Sequence, residues 1–282
     1  MNMKQTFLIL LISVISTLSI NAQYSNTFNN NLNTNNNNNN VRTVRLDTNA
    51  YKTLFNGKLE PAWVYIGEAK RAINNGDTPY ALYIMNKTVM YYPDNADAHY
   101  FLGLIYEKEG GNPAEQGGAA SYRLAIEEYK KAINLSTNLT IPAYKLDAYF
   151  SLLYIYEKLI DENNYANVEK EIIAMAESTY KNYEKGRIYF RLAQHYGSRN
   201  RGTAAIDYYR QSYLNGYRKK LSLFRMALIY RRMRNYVQEK ETLILANKYD
   251  FDYVEPTNFE VQKAIVQRLE ALKNVRIPKK LY

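Results

Sequence analysis

From Leu59 to Leu272 apolar residues return every third or fourth position, in segments parted by Gly, Pro, Asp and Asn. That spacing gives each segment one apolar face and predicts an all-α chain of amphipathic helices. Pro61 suits a helix start, and the pattern predicts a first helix over Trp63–Ile73. Gly76-Asp77 supplies a turn, Pro79 opens a second helix to about Tyr92, and Pro93-Asp94-Asn95 breaks it before a third over Ala96–Glu109. A longer loop, Gly110–Gly118, precedes the next helix. At the far end Thr257 and Glu260 form a capping box, and Val261, Ile265, Leu269 and Leu272 share one face of the helix it opens.

The helices come in pairs with a recurring signature. One member carries Leu, then Gly or Ala, then an aromatic; the other is keyed on Ala and Tyr. The clearest instances are Leu102, Gly103 and Tyr106 with Ala125 and Tyr129, and Leu192, Ala193 and Tyr196 with Ala205 and Tyr209. Tyr196 and Tyr230 stand 34 residues apart, as do Ala205 and Glu239. One helical hairpin per period of that length predicts a solenoid in which each unit packs on its neighbours. The small residues let paired helices approach closely while the tyrosines fill the space beside them.

These residues resemble the tetratricopeptide repeat (TPR) family, whose pattern runs Trp-x2-Leu-Gly-x2-Tyr on helix A, then Ala-x3-Phe and a closing Pro. Ala81, Met85 and Pro93 match the second half in the first unit; Leu152, Leu153 and Tyr156 give a third helix A; Met226, Ala227 and Tyr230 give a fifth. In the fifth unit Glu239 stands where the pattern has a small residue. The resemblance implies about five hairpins over residues 51–256 and a capping helix with a basic tail over 257–282. It implies no reaction, because function on such a frame resides in grafted surface residues.

In this family helix A lines a concave groove. The resemblance places Tyr100, Phe150, Phe190 and Phe224 in one exposed slot and Leu104, Tyr154, Gln194 and Leu228 in another, four residues further on. A groove so lined suits an extended apolar peptide or a partner helix. The same aromatics at helical spacing also fit a packed core, and periodicity alone does not separate the two. Family members that clasp a C-terminal carboxylate use Lys, Arg and Asn here; this chain has only Lys70, so that clasp is not expected.

Residues 1–22 read as a secretory signal peptide: Lys4, an apolar run from Thr6 to Ile20, and Ala22 at the cut. The run is short of the roughly 20 residues a membrane span needs, and no later segment is apolar enough to span. Asn fills 11 of the 15 positions from Asn26 to Asn40, so residues 23–50 read as a disordered leader. Cys is absent, which excludes disulfides and a lipid-anchoring cysteine. The expected compartment is the periplasm or outer membrane of a Gram-negative bacterium.

Charge divides unevenly. Residues 1–180 carry 15 basic and 18 acidic side chains, residues 181–282 carry 22 and 9. The basic clusters are Arg218, Lys219 and Lys220, then Arg225, then Arg231, Arg232 and Arg234, and Lys279-Lys280 in the tail. They suit an anionic glycan, lipid surface or acidic protein, or they are simply a solvated face. Export argues against nucleic acid. No motif of a metal site, nucleotide loop or nucleophile occurs, and no cofactor is implied. Only His99 and His195 exist; Glu127-Glu128 and Asp161-Glu162 read as solvated pairs. The sequence therefore predicts a non-catalytic scaffold binding another envelope or secretion component through its groove. An adaptor for an anionic polymer or membrane surface is the alternative, and glycan capture a third.

Overall fold

The computed structural model describes residues 59–115, 117–251 and 258–277. The signal peptide, the Asn-rich leader, Thr257 of the capping box and Lys279-Lys280 lie outside them. Among the described residues the chain is all-α, with eleven α-helices and one short 3₁₀ turn at Ser136–Asn138. The helices are α1 Ala62–Asn74, α2 Thr78–Tyr91, α3 Ala96–Gly110, α4 Gly118–Asn134, α5 Ala143–Lys158 and α6 Glu162–Ser178. Then come α7 Asn182–Ser198, α8 Gly202–Leu214, α9 Lys219–Arg232, α10 Tyr236–Asn247 and α11 Asn258–Ala271. Most ends fall within a few residues of those the pattern predicts.

Local chemistry sets those ends. Asp77 accepts from the Tyr80 amide at the start of α2, Asn95 from Ala98 at α3, Asp161 from Asn164 at α6 and Asn235 from Gln238 at α10. Each satisfies an amide that the first helical turn leaves without a partner. Gly76, Ile160, Asn200 and Arg234 take positive φ at the turns after α1, α5, α7 and α9 and redirect the chain into the next helix.

The described residues divide into two compact units, parted between Val168 and Glu169. The sequence pattern, read as one array, does not mark this division, which falls inside α6.

In the first unit α1 packs on α2, α3 on α4, α2 on α3 and α4 on α5. Neighbour follows neighbour, with lighter contacts from α1 to α3 and α3 to α5. Gly103 acts as expected, and Gly110, read from the sequence as the start of a loop, is the last residue of α3 and also lies against a tyrosine. Gly103 lies so close to the fully buried Tyr129 that an added Cβ would stand 2.9 Å from its ring, and at Gly110 the distance to Tyr122 would be 2.5 Å. Asp97 on α3 accepts from the amide and hydroxyl of Thr140, tying down the segment before α5.

In the second unit α7 packs on α8, α8 on α9, α9 on α10 and α10 on α11. One core runs through it, from Phe190 and Ala193 past Ala205, Tyr209, Leu223, Met226 and Leu243 to Ile265 and Leu272. Of the predicted apolar face on α11, Ile265 is buried, Val261 and Leu269 pack partly buried, and Leu272 is buried just past the helix end. Glu239, in the small-residue slot of α10, is 1% exposed. Arg268 of α11 meets it with two hydrogen bonds, Nε to Oε1 at 2.6 Å and Nη2 to Oε2 at 2.9 Å. Lys240 donates to the carbonyls of Lys273 and Val275 and ties down the chain just past the same end of that helix.

Candidate functional site

The groove candidates sit on helices of two separate units. Tyr100 and Leu104 lie on α3 and Phe150 and Tyr154 on α5, helices in contact with each other. Phe190 and Gln194 lie on α7, Phe224 and Leu228 on α9, and Phe190 and Phe224 join one core cluster.

The two slots differ in burial. Tyr100, Phe150 and Phe190 are 6%, 4% and 2% exposed, so these three are packing residues rather than an open row. Phe224 and the whole second slot, Leu104, Tyr154, Gln194 and Leu228, are half-buried. Neighbouring aromatics account for much of this packing. Tyr100 stacks on Tyr144 with centroids 4.5 Å apart, and Phe190 meets Tyr209 and Tyr217 edge-on at 5.3 and 5.5 Å. Such pairs add to the energy of area burial. A partner on these helices would meet the second slot first.

The basic candidates also separate. Arg218, Lys219 and Lys220 form the start of α9, where a helix disfavours cations. Aromatic faces take them up: Arg218 lies over Phe190 and Tyr217, Lys219 over Tyr249 and Lys220 over Phe251, at 4.5 to 5.6 Å. Lys220 is buried, and burial pushes its ammonium below the usual lysine range, opposed by the charge of Asp250. Arg225 is half-buried within α9. Arg232 and Arg234 are exposed and Arg231 half-buried at the turn that ends α9.

Two polar clusters were not legible in the sequence as such. His99 is buried with Nδ1 2.5 Å from Glu128 Oε2 and Nε2 2.7 Å from the carbonyl oxygen of Pro93. Lys131 donates to the other Glu128 oxygen at 2.7 Å. Burial raises the pKa of Glu128, but the hydrogen bonds from His99 and Lys131 outweigh it and hold the carboxyl below its ordinary value. Glu128 is thus no solvated neighbour of Glu127. A helix turns about 100° per residue, so one faces water and the other the α3–α4 contact. Beside this group a cleft of about 450 Å³ is lined by Asn86, Val89, Met90, Pro93, His99, Lys131, Asn134 and Leu135.

The second cluster joins three helices of the first unit. Tyr129 of α4 donates to Glu107 of α3 at 2.5 Å, and Ser151 of α5 bonds into the same pair. Burial pushes the Glu107 carboxyl up despite those hydrogen bonds. In the second unit His195 is 1% exposed, and burial with the charges of Arg199, Arg201 and Arg191 pushes its pKa down to about 3. It is neutral at ordinary pH.

Among the described residues no group of three or more His, Asp or Glu side chains is arranged to hold a metal ion. No described helix is long and apolar enough to cross a membrane. No protein-family model matches the chain, and no curated protein matches it.

Proposed function

We propose that this chain is a non-catalytic scaffold of TPR-like helical hairpins in the bacterial cell envelope, holding another envelope or secretion protein against its A helices. The observation that carries the reading is the pairing of sequence signature and packing. The helices with Leu-Gly/Ala-aromatic and Ala-Tyr keys pack as successive hairpins, Gly103 against Tyr129 and Ala193 with Ala205 in one core. Half-buried Leu104 and Tyr154 in one unit, and Gln194, Phe224 and Leu228 in the other, are the groups offered to a partner.

The mechanism is preorganisation. Buried aromatics fix the helices, so the half-buried side chains have little freedom left to lose when a partner binds. Binding energy on such a surface concentrates in a few residues, which makes the reading testable by substitution. The purified chain should retain a defined envelope protein from the source bacterium. Leu104→Glu and Leu228→Glu should each weaken retention at least about tenfold, with helix content unchanged. Equal retention by both variants would refute the reading.

A further inference from the structure

The hairpin turns change sign along the chain. In the first unit the turn after α1 carries Asp77, the one after α3 carries Glu115 and the one after α5 carries Asp161, with Lys158 as the last residue of α5 and Glu162 as the first of α6. In the second unit the turn after α7 carries Arg199 and Arg201, the last two residues of α9 are Arg231 and Arg232, the turn after α9 carries Arg234, and no acid stands among them.

The two arginine turns lie against each other. A Cβ added at Gly202, the first residue of α8, would stand 3.0 Å from Ile229 Cγ2 and 3.7 Å from Met233 Sδ. Their left-handed residues, Asn200 and Arg234, have φ of 57° and 58° and stand 34 positions apart. An Arg at such a position, where Gly or Asn fits more easily, is not explained by the backbone. Arg199 is partly spent within its own turn, donating to the His195 carbonyl and Ser198 Oγ. Arg231 and Arg232 suit a helix C-terminus. Among the described residues, however, no ion pair joins Arg231, Arg232 or Arg234 to an acid. Glu177, Glu184, Asp207, Glu239 and Glu270 of this unit are each engaged by another base, and Glu169 lies within reach of the charge of Arg201.

Apolar groups are interleaved with these cations. Met233 is 52% exposed and Tyr236 44% exposed, flanking Arg234. Arginines alone would serve any polyanion; arginines beside a half-exposed methionine and a half-exposed tyrosine suit a boundary between charged headgroups and hydrocarbon.

We propose that the arginine edge formed by the α7–α8 and α9–α10 turns docks on an anionic lipid surface, with Arg231, Arg232 and Arg234 meeting phosphates and Met233 entering among the acyl chains. This edge adjoins the proposed partner surface, since Leu228 stands one turn before Arg231 and Arg232 on α9; the two readings are told apart by the probe, lipid vesicles here and an envelope protein there.

The test is co-sedimentation of the purified chain with vesicles of phosphatidylcholine, with and without phosphatidylglycerol. The chain should bind only the anionic vesicles. Each basic residue near such a surface strengthens binding about fivefold, so reversing all three arginines to Glu should weaken it at least about 100-fold. The exposed pair alone, Arg232→Glu with Arg234→Glu, guards against a folding defect at half-buried Arg231 and should cost at least about 20-fold. Met233→Ser should weaken binding roughly fivefold. Equal binding to neutral vesicles, or undiminished binding by the charge-reversed variants, would overturn the proposal. So would a Met233→Ser variant that binds as wild type while soluble polyglutamate competes fully, since that outcome assigns the edge to an acidic polymer in solution.

Discussion

Glu239 occupies a slot where the matching helices carry Ala81, Ala125 and Ala205, and Arg268 alone supplies its two charge-assisted hydrogen bonds through side-chain contacts. Arg268→Ala would leave a carboxylate, 1% exposed as a residue, without either bond. Removing one partner of a buried ion pair costs about 3–5 kcal/mol. The Arg268 side chain is 24% exposed, so water would reach the vacated space and the cost should lie near the lower end, about 3 kcal/mol. Glu239→Ala should cost less, about 1 kcal/mol, because Arg268 can turn to solvent. The double variant restores the small residue found in the other hairpins. Replacing a buried pair with apolar groups is often neutral, so it should fall within about 1 kcal/mol of wild type and exceed Arg268→Ala in stability by about 2 kcal/mol. Urea unfolding followed by far-ultraviolet circular dichroism reads all four corners of the cycle. The reasoning is refuted if Arg268→Ala costs under about 0.5 kcal/mol, or if the double variant is less stable than Arg268→Ala.

Three further outcomes follow from the packing and the charges. Gly103→Ala should destabilise by about 1–3 kcal/mol, because its methyl would press on the buried Tyr129 ring, whereas Gly67→Ala, with open space around it, should stabilise by about 0.5–1 kcal/mol; equal effects in thermal melts would contradict this. His195 has a folded pKa pushed down to about 3, so its neutral form stabilises the fold above the unfolded value near 6.5, and that contribution is lost as pH falls from there towards 3. His195→Asn should therefore lose less stability than wild type between pH 6.5 and 3 in urea titrations, and parallel curves would count against the assignment. Glu107 has the opposite sign: its raised folded pKa means stability present at low pH and lost as pH rises through that value, so Glu107→Gln should gain on wild type as pH rises, and an unchanged difference would contradict it.

Helix existence, and the pairing of α1 with α2, α3 with α4, α7 with α8 and α9 with α10, were legible because they rest on local signals: Pro at starts, Gly, Pro, Asp and Asn at breaks, and Gly or Ala beside Tyr at fixed spacing. Burial was not. Tyr100 and Leu104 share a helical face four residues apart, yet one is buried and the other only half-buried, because Tyr144 from the next hairpin stacks on the first. The role of Glu239 likewise depends on Arg268, 29 residues later. Arg218, Lys219 and Lys220 read as an anion patch until Phe190, Tyr217, Tyr249 and Phe251 are found beneath them. Glu128 was misplaced for a simpler reason: sequence adjacency to Glu127 says nothing about sharing a helix face. The arginine edge could have been found earlier by aligning turns, since Asn200 and Arg234 keep the repeat interval, but their contact through Gly202 and Met233 needed the fold.

The account turns on a protein partner resting against the A helices. Site-specific photocrosslinking in cells tests it most directly, with a benzophenone amino acid at Leu104, Gln194 or Leu228 and at the exposed controls Arg123 and Lys263. The account predicts a defined protein adduct from each of the half-buried positions and none from the controls. No adduct at those positions, or the same adducts from every site, would contradict it.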